Sequence, residues 1–250
     1  MSYNPFTLEG KTILVTGASS GIGKATAIEC SKMGANVVIT ARNEVRLAET
    51  ASQMGGGNIQ ILTTDITVDD ELKNLIAQLP ELDGAVLCAG RGLTVPLKMA
   101  SRSKMDTVFN TNFFAQTEMT RLLYKEKKLK KGGSLVFISS VGGNYRFEVG
   151  GGIYGASKAA LNSYMKFAAK EFSSRLIRVN SVCPDMVETP LIHRGTITEE
   201  QLAKDMQNSP LGRYGKPEEV AYAAIYLLSD AAAWVTGTSL VIDGGMTSNK

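Results

Sequence analysis

The sequence predicts an α/β fold in which a doubly wound parallel sheet of about seven strands carries helices on both faces. Two observations predict this fold. Short apolar runs alternate with longer amphipathic runs along the whole chain, as in strand–helix units joined by right-handed crossovers. The residues best suited to bind a ligand also follow the ends of these apolar runs, and sheets of this kind bind ligands beyond the carboxyl ends of their strands.

The apolar runs have the length and composition of buried strands. They are Thr12–Thr16, Asn36–Thr40, Asn58–Leu62, Gly84–Cys88, Ser134–Ile138, Arg178–Val182 and Ser239–Ile242. The segments between them are predicted helices, roughly Gly21–Met33, Glu44–Met54, Val68–Leu79, Arg102–Lys130, Tyr154–Ser174 and Pro217–Ser229. The last helix begins with a proline followed by two glutamates, which suits a helix N-terminus.

Composition favours one domain over residues 1–250. The chain is 44% hydrophobic and 20% charged, and no Pro/Ser-rich linker divides it. The net charge of +3 gives little reason to expect a nucleic-acid partner. No apolar stretch is long enough to span a bilayer, no secretory signal is evident, and the three cysteines lack a CxxC pair, so we expect a cytoplasmic protein with no membrane partner.

A glycine-rich turn follows the first predicted strand and opens the first predicted helix. Glycine at 17, 21 and 23 lets the backbone turn sharply and approach a pyrophosphate, whose charge is stabilised at the helix N-terminus. The spacing is GxxxGxG, not the more common GxGxxG. The turn predicts a dinucleotide site formed by Gly17, Ser19, Ser20, Gly21, Ile22 and Gly23.

The end of the second strand indicates which dinucleotide binds. An NAD enzyme usually places an acidic residue there for the ribose 2′-hydroxyl, whereas an arginine accommodates the 2′-phosphate of NADP. This chain has Ala41 at the acidic position, followed by Arg42, which can pair with a phosphate through two hydrogen bonds. We therefore predict NADP(H) as the cofactor; the alternative is that Arg42 is only a solvated loop cation.

Three side chains in the second half of the chain suit carbonyl reduction. Tyr154 and Lys158 lie one turn apart on one face of a predicted helix, fourteen residues after Ser140. A carbonyl that receives hydride needs a proton, which a tyrosine can donate if a neighbouring ammonium stabilises its phenolate. The serine hydroxyl can polarise the carbonyl. Lys158 is also expected to hold the nicotinamide ribose.

These motifs together resemble those of the short-chain dehydrogenase/reductase family, from about Lys11 to Gly245. The resemblance implies a Rossmann-type fold and hydride transfer between nicotinamide and a carbonyl or secondary alcohol, with Tyr154 as general acid. It also implies that Asn112 anchors a proton-relay water, with Asn110 as the rival residue and a helix kink as the alternative role. Asp65 would contact the adenine and Ile66 would line its ring; the alternative is that Asp65 caps the following helix, and both roles can hold.

Two loops depart from the family pattern. Cys88-Ala89-Gly90 replaces Asn-Ala-Gly; the small residues still permit close approach of the cofactor, but the asparagine that ties neighbouring strands is missing. In Pro184–Thr189, Asp185 replaces a glycine. The resemblance implies that the backbone of Val187 and the hydroxyl of Thr189 hold the nicotinamide carboxamide, with Pro184 beginning the loop.

The substrate is expected over the nicotinamide, under a small lid at about residues 190–212 that contains the single histidine, His193. With one histidine and no Cys–His cluster, we expect no metal site and take His193 as a lid-surface residue. The tail of the chain most resembles the 3-oxoacyl-acyl-carrier-protein reductase branch, which implies a small carbonyl or acyl-thioester substrate.

The alternatives are a sugar, polyol or steroid dehydrogenase, whose hydroxyl groups Asp185 and Glu148 could bind, and a non-enzymatic redox sensor. The family resemblance also implies a homotetramer.

Overall fold

The strands form one parallel sheet. The computed structural model describes residues 4–192 and 198–248, and within them the strand order is β3-β2-β1-β4-β5-β6-β7. The strands are β1 Thr12–Thr16, β2 Asn36–Ala41, β3 Ile59–Thr63, β4 Leu82–Leu87, β5 Leu129–Ile138, β6 Arg178–Pro184 and β7 Ser239–Ile242. The order reverses between β1 and β4, which leaves a crevice at their carboxyl ends. The predicted doubly wound fold is confirmed.

Helices cover both faces of the sheet. They are α1 Gly21–Lys32, α2 Glu44–Ala51, α3 Asp69–Gln78, α4 Arg102–Phe109, α5 Ala115–Lys125, α6 Gly152–Phe172, α7 Glu199–Gln207 and α8 Pro217–Leu228. Side chains alternate along each strand, so Leu14 packs in the core on one face and Ile13 and Val15 in the core on the other. No helix in the described part of the chain is both long and apolar enough to cross a membrane.

The single helix predicted at Arg102–Lys130 is wrong in two respects. A π turn, Asn110–Phe114, separates α4 from α5, and the helix ends at Lys125. The chain then turns, with Lys127 at a φ of 54°, and enters β5 at Leu129, which pairs with Leu82. The strand begins this early because that pair is buried, although the following lysines and glycines give it no strand-like pattern.

The segment predicted as a buried strand at Asn58–Leu62 is also different. It forms β3, but it lies at the edge of the sheet and exposes much of its surface, including Ile61. The opposite edge strand, β7, is half-buried along its whole length. The proposed lid contains α7, whereas His193 lies outside the described residues. That residues 1–250 form one domain stays a prediction.

Candidate active site

The glycine turn between β1 and α1 has a backbone that only glycine adopts easily. Gly17 and Gly21 have φ values of 67° and 53°. A Cβ on Gly23 would overlap the carbonyl oxygen of Gly17, and one on Gly17 would lie 3.0 Å from the backbone of Ala89. The turn is therefore packed against the end of β4, with no room for side chains.

The N-terminus of α1 is suited to an anion. Ser20 is its N-cap residue in an extended conformation, and its side chain makes no capping hydrogen bond. The first turn of the helix contains no acidic residue. The backbone amides and the positive end of the helix dipole thus remain available to a phosphate group. These observations fit the pyrophosphate of a dinucleotide.

At the end of β2, Arg42 is exposed and its Nη1 lies 3.8 Å from Oδ2 of Asp65. Asp65 also accepts hydrogen bonds from the backbone and hydroxyl of Thr67, at 2.9 and 2.6 Å. Burial acts to raise the pKa of Asp65, but the Thr67 hydrogen bonds and the Arg42 charge hold it below its ordinary value. The alternative that Asp65 caps α3 is wrong, because Val68 is the N-cap residue. Ile66 is buried in the core beside it.

The strand tie that an asparagine at position 88 would make is supplied by Thr16. Its hydroxyl oxygen accepts hydrogen bonds from the amides of Cys88 and Ala89, at 3.0 and 3.1 Å. Gln116 donates to the carbonyl of Ala89 at 2.6 Å. Burial raises the pKa of the Cys88 thiol to about 12, so this thiol stays protonated. The sequence analysis missed both Thr16 and Gln116 as supports of this loop.

Asn112 lies in the π turn and is fully buried, whereas Asn110 is exposed. The Asn112 side chain accepts a hydrogen bond from the Arg91 amide at 2.8 Å and donates to the Arg91 carbonyl at 3.0 Å. A second donation reaches the hydroxyl of Ser157 at 3.1 Å. The structure therefore favours Asn112 over Asn110 as the residue at the site, and the expected helix irregularity is present as well.

Tyr154 and Lys158 project from the first turns of α6 toward the carboxyl ends of β4 and β5. Lys158 Nζ lies 5.8 Å from the centre of the Tyr154 ring and donates to the carbonyl of Ile138 at 2.8 Å. A Cβ placed on Gly90 would lie 3.6 Å from Lys158 Nζ and 3.4 Å from Oδ1 of Asn112. Residues from β4, the π turn and α6 thus converge beside the glycine turn.

Ser140 is the second residue after β5 and faces Tyr154. Burial raises the pKa of Tyr154 to about 12, against the opposing effect of a hydrogen bond with Ser140. The neighbouring Ser139 instead donates to the backbone carbonyl of Lys158 at 3.3 Å, so the two serines have different roles. Burial lowers the pKa of Lys158 to about 8. The site therefore holds a protonated phenol beside a destabilised ammonium.

The loop after β6 closes the site from the other side. Met186 accepts a hydrogen bond from the Gly215 amide at 3.0 Å, and Glu188 donates to the Gly215 carbonyl at 2.9 Å. Val187 lies between Met186 and Glu188 in this extended segment, so its own amide and carbonyl point away from Gly215. The Val187 backbone can therefore bind a ligand. Thr189 lies 3.2 Å from the position that a Cβ on Gly21 would occupy.

Proteins of known sequence and structure resemble this chain along most of its length. A family model described as enoyl-(acyl carrier protein) reductase matches residues 17–247. A solved structure described as a short chain dehydrogenase/reductase family protein is 34% identical, covers 96% of this chain and 99% of its own, and superimposes with a TM-score of 0.85. The chain belongs to the short-chain dehydrogenase/reductase family.

Two further relatives differ in the substrates that their descriptions state. The 3-oxoacyl-acyl-carrier-protein reductase of Thermotoga maritima is 35% identical over 96% of this chain and 98% of its own. A solved structure from Beutenbergia cavernae, assigned provisionally as an NAD(P)-dependent gluconate 5-dehydrogenase and holding NADP at low occupancy, is 29% identical with a TM-score of 0.88, and the match covers 98% of this chain and 100% of its own. This short-chain dehydrogenase/reductase is thus an oxidoreductase of a family that binds nicotinamide dinucleotides.

The acidic residue of the loop after β6 has a role that the sequence analysis did not foresee. In this short-chain dehydrogenase/reductase, Asp185 accepts a hydrogen bond from Nη1 of Arg146 at 2.7 Å. Glu148 is bound to Nε of the same arginine, also at 2.7 Å. Both carboxylates are therefore paired with Arg146, and their binding of polyol hydroxyl groups stays a prediction. No group of residues in the described part of the chain has the make-up of a metal site.

Proposed function

We propose that this protein is an NADP(H)-dependent oxidoreductase of the alcohol dehydrogenase type, which transfers hydride between nicotinamide and a carbonyl or secondary alcohol. The observation that carries the proposal is the convergence of Ser140, Tyr154 and Lys158 at the carboxyl edge of the sheet, beside a glycine turn suited to a pyrophosphate. The bound nicotinamide would supply or accept the hydride. The protein would bind and orient the reactants and would donate or accept the proton.

Tyr154 acts as the general acid in reduction. With a pKa of about 12 its phenol keeps its proton across the physiological range, and it gives that proton to the alkoxide oxygen, a stronger base than a phenolate. Lys158 stabilises the phenolate that results, because its ammonium lies on the same side of α6. Ser140 donates to the same substrate oxygen and orients the carbonyl toward Tyr154.

Asn112 supports this chemistry by position. Both hydrogens of its side-chain amide are engaged, by the Arg91 carbonyl and by Ser157. The side chain therefore holds the strand-end loop at Gly90 close to Lys158. A relay water at Asn112 would have to use the remaining acceptor capacity of Oδ1 or the backbone of the π turn.

Removing one oxygen atom tests the general acid. Tyr154→Phe should lower the rate of NADPH-dependent carbonyl reduction by about 10²–10⁴-fold while NADPH still binds, as measured by fluorescence titration. Tyr164→Phe is the matched control, because Tyr164 lies on the same helix and its hydroxyl only reaches the Thr117 carbonyl at 3.4 Å. Full turnover in Tyr154→Phe would contradict the assignment. Binding of NADPH by wild type without reduction of any carbonyl would favour the redox sensor.

The cofactor preference rests on Arg42. Its guanidinium is exposed, only loosely paired with Asp65, and no carboxylate occupies the preceding position. We expect wild type to bind NADPH at least about tenfold more tightly than NADH, since charged hydrogen bonds contribute about 1.5–3 kcal/mol. Arg42→Asp should abolish that preference, whereas Arg46→Asp, an exposed arginine one turn into α2, should retain it. A wild-type preference for NADH would overturn the prediction.

For the substrate, we propose a 3-oxoacyl thioester ahead of a sugar, polyol or steroid. The similarity to the Thermotoga maritima reductase supports the thioester, and pairing of Asp185 and Glu148 with Arg146 weakens the residue argument for polyols. The similarity to the gluconate dehydrogenase structure keeps polyols as the second candidate. Oxidation of gluconate or polyols without reduction of an acetoacetyl thioester would reverse this order. A cytoplasmic location, a single domain over 1–250 and a homotetramer remain predictions.

A further inference from the structure

An ion-pair network centred on Arg146 joins three segments that surround the substrate side of the site. Arg146 lies in the loop between β5 and α6, and its side chain is only 15% exposed. Besides Asp185 and Glu148, it binds Asp205 of α7, from Nη2 to Oδ1 at 2.9 Å. Each of the three guanidinium nitrogens therefore donates to a different carboxylate: Nε to Glu148, Nη1 to Asp185 and Nη2 to Asp205.

The contacts are unequal in strength. The Glu148 side chain is 66% exposed, so its pair with Arg146 is screened by water and contributes little. Asp185 is 12% exposed and Asp205 32% exposed, so these pairs hold their geometry in a less polar environment. Burial raises the pKa of Asp185, and the charges of Asp205 and Asp243 act in the same direction, opposed by Arg146. Without Arg146, two carboxylates would face each other with no cation between them.

The two less exposed partners of Arg146, Asp185 and Asp205, belong to different segments around the site. Asp185 begins the loop that carries Val187 and Thr189 over the glycine turn. Asp205 lies on α7, the described helix of the proposed substrate lid, and also accepts a hydrogen bond from the Tyr214 hydroxyl at 3.1 Å. The network borders a cavity of about 130 Å³ whose lining includes Arg146, Asp185, Val187, Asp205 and Tyr214.

We propose that Arg146 is a positioning residue for substrate binding, which fixes α7 against the loop after β6 and so sets the substrate-binding geometry. This inference rests on the proposed function. Arg146 acts through Asp185 and Asp205 and does not touch the reacting atoms. The Val187 segment keeps its separate backbone pairing with Gly215, so cofactor binding depends less on Arg146 than substrate binding does.

The kinetic test separates KM from kcat. We expect Arg146→Gln to raise the KM for the carbonyl substrate at least about tenfold, with kcat and NADPH affinity changed less than about threefold. Arg146→Lys, which keeps the charge but loses the planar fork, should give an intermediate KM. Asp205→Asn should raise KM in the same direction, and it provides a second variant if Arg146→Gln does not fold. The control is Arg121→Gln, which removes two hydrogen bonds to Glu118 on α5, outside the network and its cavity.

Hydrogen exchange tests the same inference without a substrate. Backbone amides of α7 should exchange at least about tenfold faster in Arg146→Gln than in wild type, and at the wild-type rate in Arg121→Gln. Unchanged exchange of α7 in Arg146→Gln would overturn the inference, and so would an unchanged substrate KM. Equal losses of kcat, NADPH affinity and thermal stability would also overturn it, since they indicate general destabilisation. Lack of wild-type turnover on every carbonyl would instead contradict the proposed function, while the exchange result would still decide the role of Arg146.

Discussion

Lys158 carries a positive charge at a place where the fold leaves it almost no water. The residue is 3% exposed, and its ammonium donates a hydrogen bond to the Ile138 carbonyl at 2.8 Å. Burial lowers its pKa from 10.5 to about 8, and that difference corresponds to roughly 3 kcal/mol against the charged form. This charge destabilises the folded protein, and in the proposed mechanism the phenolate of Tyr154 requires it.

Replacing this charge should stabilise the cofactor-free protein. Below pH 8 both the folded and unfolded states hold the proton, so wild type bears the full unfavourable free energy of burial. Between pH 8 and 10.5 the unfolded state binds more protons, and stability due to this group rises with pH. Lys158→Met should therefore raise the melting temperature more at pH 7 than at pH 9.5, while it abolishes turnover.

The measurement is thermal unfolding of wild type and Lys158→Met, both without cofactor, at pH 7 and at pH 9.5. The Lys170→Met variant, on the last turn of the same helix and exposed, is the control and should change the melting temperature little at either pH. An equal gain for Lys158→Met at pH 7 and pH 9.5 would show that the charge is not the cause.

At the scale of elements, β1 and β2 have threonines at or next to their carboxyl ends, which pair with each other in the sheet but differ in their hydrogen bonds. Thr16 and Thr40 are opposite in register and both fully buried. The Thr16 hydroxyl accepts from the amides of Cys88 and Ala89 and so joins β1 to the end of β4. The Thr40 hydroxyl oxygen has no partner among the described residues. The first hydroxyl should stabilise the fold, and the second should not.

Two isosteric substitutions test this difference. Thr16→Val leaves two partly buried amides without their acceptor and should lower the free energy of unfolding by about 1–3 kcal/mol in total. It should also weaken NADPH binding, since Ala89 packs against the glycine turn. Thr40→Val should be neutral or stabilising. Denaturant unfolding of the three proteins gives the comparison, and equal destabilisation by both variants would contradict it.

The elements that sequence could predict are those whose pattern is local. The buried runs of β1 and β6 and the start of α8 at Pro217 agree with their predicted positions, because apolar composition and helix-start chemistry act over a few residues. The π turn could not be predicted, since its central Asn112 is held by the backbone of Arg91, twenty-one residues away. The early start of β5 depends equally on a distant partner, Leu82.

The site shows the same division. The glycine turn and the Tyr154–Lys158 pair were identified because their residues are close in sequence and their spacing reflects one turn or one helix face. The Arg146 network could not be identified, because its bonds to Asp185 and Asp205 span 39 and 59 residues. The sequence shows that Asp185 is an unusual charge in this loop, but only the fold shows that Arg146 lies beside it as the compensating cation.

At the scale of the whole molecule, the chain exposes apolar side chains of a kind that oligomers usually cover. Trp234 is 99% exposed near the half-buried edge strand β7. Phe114, in the π turn, and Phe167, on α6, are also exposed. A monomer would leave these aromatic groups in water, whereas contacts through the long helices and through the β7 edge would bury them.

The family resemblance implies a homotetramer, and we predict that a single charge on this exposed apolar surface breaks it. Phe167→Asp should convert the tetramer to smaller species, because a buried carboxylate at a subunit contact has no partner. Val45→Asp is the control: Val45 is 70% exposed on α2, away from these helices, and its replacement should leave the assembly intact. Light scattering coupled to size-exclusion chromatography measures the mass of each protein against 26.8 kDa for one chain. A monomeric wild type, or dissociation by Val45→Asp as well, would contradict the prediction.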